Sequence, residues 1–125
     1  MSPCAANLIV GGIGIIHVGI MGLELYPWTR PIAMSGVLKT KKIEPSPDDA
    51  ELIATIVHNS GIYNGVVAAG LIASAWCESS ARGVQIALLS GVIVAGLFGA
   101  RTLGMKVIVQ AIIGAIGLVA VLIAK

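Results

Sequence analysis

Four apolar runs, at about residues 5–26, 47–76, 83–100 and 103–124, make up most of this chain. About 20 predominantly apolar residues are enough for a helix to cross the hydrocarbon core of a bilayer. Each run therefore predicts a transmembrane helix. The short connections between the second, third and fourth runs make those neighbours antiparallel. The expected fold class is all-α: a polytopic membrane protein built as an antiparallel bundle of four transmembrane helices. Composition agrees, at 57% hydrophobic and 11% charged with mean hydropathy +0.97. A soluble domain carries about a quarter charged residues. At 125 residues, a soluble fold would leave too much surface exposed to hide this many apolar side chains. The length suits a single membrane domain over residues 1–125.

The breaks between runs carry their own chemistry. Met1-Ser2-Pro3-Cys4 has no lysine or arginine, and the first run contains His17 and Glu24. That pattern predicts a retained helix rather than a cleaved signal peptide. Tyr26-Pro27-Trp28 closes the run with interfacial aromatics and a proline suited to a helix exit. The loop at about 29–46 holds Arg30, Lys39, Lys41 and Lys42 and belongs in water. Ser46-Pro47-Asp48-Asp49 reads as a helix start: an N-cap serine, a proline at the first position, then acids in the first turn. Six of the eight lysines and arginines fall on the face of this loop and of the 101–106 turn. The positive-inside rule then places that face in the cytoplasm and both termini outside. Cys4 and Cys77 would share the outer, oxidising side, where either a disulfide or two separate thiols fits.

The second run is interrupted by Asn59-Ser60-Gly61-Ile62-Tyr63-Asn64-Gly65. Polar groups inside a membrane helix are costly without partners. Counting about 1.5 Å per residue from the charged-loop side, His17, Asn59, Tyr63 and Gln110 all fall about 10–17 Å inside one boundary. Glu24 lies nearer that boundary, two turns from His17 on the same face. Such a layer can serve as interhelical glue, at about 1 kcal/mol per hydrogen bond. It can equally serve chemistry, because ionisable residues inside membrane helices are functional candidates. In that reading His17 and Glu24 exchange a proton, and Tyr63 donates to a developing oxyanion. Trp28, Asn59, Asn64 and Gln110 hold the substrate. A metal site from His17, Glu24 and His58 matches no compact ligand spacing. No phosphate loop, nucleophile elbow or dinucleotide fingerprint is present, so no cofactor is expected. Net charge is +2 without a basic cluster among aromatics, which argues against nucleic acid.

His17…Glu24…Trp28-Thr29…Pro31, with Asn59-x-Gly61-x-Tyr63-Asn64-Gly65…Ala69-Gly70-Leu71, resembles the small four-helix membrane proteins grouped as domain of unknown function 1304. Val94-Ala95-Gly96-Leu97-Phe98-Gly99…Thr102 and Gln110 resemble that family's last two helices. Ser60 stands where the resemblance implies a glutamine, and the charged stretch at about 39–49 is long for the family. The resemblance implies the four-helix architecture and no reaction. Small multidrug-resistance transporters offer a second comparison, with a buried glutamate in the first of four helices. There Glu24 would exchange protons for a lipophilic cation within a homodimer, but the aromatic-rich cation site of such transporters has no counterpart here. The expectation is a pocket that admits a small lipophilic ligand from the membrane lipids and converts it by acid–base chemistry, as an isomerase or epimerase would. The alternatives are a proton-coupled transporter and a purely structural module.

Overall fold

Two serine–proline pairs start helices in the computed structural model, which describes residues 1–26, 38, 42, 44, 46–76 and 81–125. The first helix, α1, spans Pro3–Leu25, and α2 spans Pro47–Trp76. Ser2 Oγ accepts the Ala5 amide at 3.3 Å, and Pro3 takes the first helical position. Ser46 Oγ likewise accepts the Asp49 amide at 3.2 Å. Asp49 Oδ2 accepts in return from the Ser46 amide at 3.2 Å and the Ser46 hydroxyl at 2.6 Å. This reciprocal cap satisfies helix-end donors that the first turn leaves open. Because Ser2-Pro3 does the same work as Ser46-Pro47, α1 begins two residues earlier than its apolar run.

The third helix, α3, spans Arg82–Thr102, and α4 spans Ile108–Ile123. Gly99 O accepts the amides of both Leu103 and Gly104 at the end of α3. Gly104 then turns the chain with φ 127°, in backbone space that side chains disfavour. A single 3-10 turn, Met105–Val107, follows. Regular helix in the last apolar run therefore resumes at Ile108 instead of about 103.

Close approaches show how the helices run. Gly14 faces Ala68 and Ile72, Gly65 faces Met21, and Gly61 faces Glu24 and Leu25. Residue numbers rise on α1 as they fall on α2. The same opposition holds for α3 and α4, where Gly96 meets Ala111, Gly114 meets Val92 and Gly117 meets Leu89. Gly117 also meets Ile13 of α1, and Gly70 meets Leu88 of α3. The four helices thus form a closed ring in chain order, each antiparallel to its neighbours. Gly96 marks the closest approach. A methyl group there would overlap the Ala111 amide nitrogen and lie 2.9 Å from the Ala111 α-carbon.

Val10, Ile13, Leu71, Ala75, Leu89 and Val121 pack on the bundle axis nearer the termini. Most of the remaining apolar surface faces outward. The shares of the apolar windows buried inside the bundle are only 22%, 17%, 33% and 28% for the four spans in order. Ile15, Val66, Val94, Phe98, Ile112 and Val119 are all exposed. Such a surface is costly in water, at about 25 cal/mol per Å2, and is at no disadvantage against lipid tails. The fold is an all-α antiparallel bundle whose four helices are each long and apolar enough to span a membrane, the last counted with its leading 3-10 turn as Met105–Ile123. Fourteen residues of α2 precede Gly61, where it meets the end of α1. They carry α2 about 20 Å past the last turn of α1.

Candidate functional site: two polar seams on the first helix

Glu24 sits in the last turn of α1, and its carboxylate crosses to α2. Oε2 accepts from Asn64 Nδ2 at 2.8 Å, and Oε1 accepts from the Ser60 hydroxyl at 3.3 Å. Asn64 Nδ2 also donates to its own helix at Ser60 O, 3.2 Å away. Ser60 and Asn64 are one turn apart, with Gly61 between them. The space where a Gly61 side chain would sit is bounded by Leu25 at 3.0 Å and Glu24 Cβ at 3.1 Å. A larger residue would push α1 away and take the carboxylate with it. Glu24 is half-buried, and among the described residues its two partners are neutral.

His17 belongs to a different seam. It is 0% exposed, among the most completely enclosed side chains described. Its Nδ1 lies 2.9 Å from Ile13 O. A carbonyl only accepts, so Nδ1 carries the hydrogen. Nε2 is then left with its lone pair toward Gln110 Nε2 of α4, at 3.5 Å. Both ring nitrogens are thereby engaged, one by the backbone of α1 and one by α4. Glu24 and His17 do lie two turns apart on one face of α1. That face looks along the bundle axis, so one end of it meets α2 and the other meets α4. About 10 Å along the helix separates them.

The structure brings together Glu24 with Asn64, and His17 with Gln110. It does not bring Asn59 or Tyr63 to either pair. Asn59 is exposed and Tyr63 is 73% exposed, both on the outward side of α2. Ser60 and Asn64 follow them by one residue each, a rotation of about 100° that turns them inward. The expected single polar layer is therefore split in two: His17 meets Gln110 of α4, and Glu24, about 10 Å along α1, meets Ser60 and Asn64 of α2. Trp28 and Cys77 lie outside the described residues; Cys4 is exposed in the first turn of α1. Among the described residues no three of histidine, cysteine, aspartate and glutamate are grouped to hold a metal ion.

A family model described as protein of unknown function (DUF1304) matches residues 11–122. The chain belongs to that family. Its matched span takes in His17, Glu24, Ser60, Asn64 and Gln110 together. No curated protein and no solved structure matches the chain.

Sequence reasoning passed over four polar residues in this family member. Ser60, read as a departure from the family pattern, donates to Glu24. Gln85, at 5% exposure, donates to both Asn7 Oδ1 and Ser74 O at 3.0 Å. Ser74 in turn donates its hydroxyl to Leu71 O at 2.9 Å. The signal was there: Asn7 and Gln85 are isolated amides in otherwise apolar runs, and an amide in such a place needs a partner.

Proposed function

We propose that this protein binds a small amphipathic molecule from the membrane at the α1–α2 seam, where Glu24 takes up and returns a proton. Ser60 and Asn64 hold the carboxylate and orient the ligand's polar group. The observation that carries this reading is the setting of Glu24. A carboxylate in the last turn of a membrane-length helix is held by two neutral donors from the next helix, Ser60 and Asn64. A merely structural acid in such a position is usefully paired with a cation; one that must change its protonation is better served by neutral partners. Gly61 and the half-buried side chain leave the carboxylate near the bundle surface, where a lipid-dissolved molecule can reach it. His17 and Gln110 pin α1 to α4 one layer deeper and keep the seam in register. The reaction class is a cofactor-independent acid–base conversion, such as an isomerisation or epimerisation.

Proton-coupled transport is the second reading, supported by the membrane-internal acid itself. It is less favoured because the acid lies near one end of the bundle, and the axis beyond it is filled by His17 and the apolar core. Under either reading we infer that the 29–46 loop faces the cytoplasm and the termini face outward, since six of eight lysines and arginines lie on the loop side.

Glu24→Gln provides the test, because a glutamine can still accept from Asn64 while its amide donates to the Ser60 hydroxyl, which rotates to suit. Wild type and Glu24→Gln, both folded, are compared by mass spectrometry of co-purifying small molecules and by turnover of the recovered compound in detergent. A discrete compound converted by wild type and not by Glu24→Gln supports acid–base chemistry. Flux that requires a proton gradient, without conversion, supports transport. Identical behaviour of the two proteins in both assays removes the role assigned to Glu24.

A further inference from the structure

At the end of the bundle opposite Glu24, α1 and α3 begin while α2 and α4 finish. A cavity of about 280 Å3 opens there, near the lower size of small-ligand sites, about 300 Å3. Its polar wall is fixed by a chain of hydrogen bonds. Ser74 O can only accept, so Gln85 presents its nitrogen to it and its oxygen away from it. Among the described residues no donor reaches that Gln85 Oε1, although the side chain is 5% exposed and lines the cavity. Asn7 receives the same Gln85 nitrogen on Oδ1, which turns its own donor, Nδ2, the other way.

Two cationic residues stand beside this wall. Arg82 and Lys125 both line the cavity. The Arg82 guanidinium donates to Leu122 O at 3.0 Å and Ala124 O at 3.4 Å. Those bonds cover the carbonyl end of α4, which would otherwise repel an anion, and the guanidinium has further N–H donors. Helix α3 begins at Arg82, and among the described residues no side chain caps its first turn. The positive end of its dipole adds to the same side. The Lys125 amide donates to Met1 O at 3.3 Å and ties the end of α4 to the start of α1.

We infer that this cavity binds a phosphate-bearing group that also carries a hydroxyl or ammonium donor. Arg82, Lys125 and Asn7 Nδ2 take the phosphate oxygens, and Gln85 Oε1 accepts from the donor. Pro3, Ala6 and Val121 supply an apolar wall for the carbon skeleton. Two sources offer this chemistry: the headgroup of a lipid such as phosphatidylglycerol, and a free glycerol phosphate. Phosphatidylcholine has the phosphate but no N–H or O–H to meet Gln85. The site is independent of the Glu24 chemistry at the other end.

Native mass spectrometry of the purified full chain in detergent, with added phosphatidylglycerol or phosphatidylcholine, tests the inference. Wild type should retain phosphatidylglycerol over phosphatidylcholine by up to about tenfold, the upper end of what one neutral hydrogen bond contributes. Asn7→Asp keeps an acceptor for Gln85, so the fold stands, but places a negative charge in the cavity. It should lower phosphatidylglycerol retention by about tenfold, with Lys125→Gln lowering it less. Displacement of the lipid by sn-glycerol 3-phosphate supports a site that takes the free phosphate as well. Retention despite that competitor supports a site that takes the lipid headgroup. Equal retention of the two lipids by wild type overturns the inference, as does unchanged retention in folded Asn7→Asp and Lys125→Gln.

Discussion

Gly96→Ala should loosen the α3–α4 half of the bundle, while Gly91→Ala on the same helix should not. At Gly96 the added methyl overlaps the Ala111 amide nitrogen and sits 2.9 Å from both the α-carbon and the β-carbon of Ala111, where ordinary van der Waals separation starts at 3.4 Å. Relieving the clash with the Ala111 α-carbon alone demands a separation of 3.4 − 2.9 = 0.5 Å. Backbone cannot rotate aside as a flexible side chain can, so the helices themselves have to part. The same displacement loosens the packing of Gly99 on Val107 and of Gly114 on Val92 and Ile93. A gap of about 0.5–1 Å forfeits a quarter to a half of the dispersion energy of each atom pair. Overpacking of this kind costs about 1–3 kcal/mol. Gly91 has nothing within 4 Å of an added methyl, and alanine there gains helix propensity of at most about 1 kcal/mol. Equilibrium unfolding in mixed detergent–dodecyl sulfate micelles, followed by far-UV circular dichroism, measures both variants. If Gly96→Ala proves as stable as Gly91→Ala, the close crossing of α3 and α4 at Ala111 is refuted.

The two seams make separate predictions. Asn64→Leu, which strips the shorter of the two bonds to Glu24, should cost about 1–2 kcal/mol in the same unfolding assay, whereas Tyr63→Phe should change stability by less than about 0.5 kcal/mol. Equal losses would mean that the inward face of α2 has been misassigned. His17→Ala removes an enclosed ring and the acceptor of Gln110, and should cost about 2–4 kcal/mol by cavity formation and a lost interhelical bond. A double-mutant cycle with Gln110→Leu should then show coupling, since each residue loses its partner with the other. Ser46→Ala should cost about 1 kcal/mol through loss of the α2 cap. Hydrogen exchange at the Asp49 amide should accelerate with it, and unchanged protection there would argue against the cap.

Much of the architecture was legible because the bilayer sets a coarse rule. Runs of this length and apolarity have to become helices, and short connections have to make neighbours antiparallel. Capping was equally local: Ser46-Pro47-Asp48-Asp49 contains both halves of the bond pattern that starts α2. The presence of Glu24 and His17 on one face of α1 also follows from spacing alone. What spacing could not tell was which side of α2 they would find. In a soluble helix the polar face points to water, so the buried face can be read from the pattern. Here lipid and core are both apolar, and small residues rather than hydrophobic contrast select the interface. Asn59 and Tyr63 differ from Ser60 and Asn64 by one residue, and only the approach of α1 over Gly61 decided that the second pair faces Glu24. The Asn7–Gln85 bond is more remote still, joining α1 to a helix that is not its ring neighbour. Local sequence supplied the spans and the polar groups within them; helix packing chose the partners, because rotation about each helix axis is settled only when the backbones close on one another.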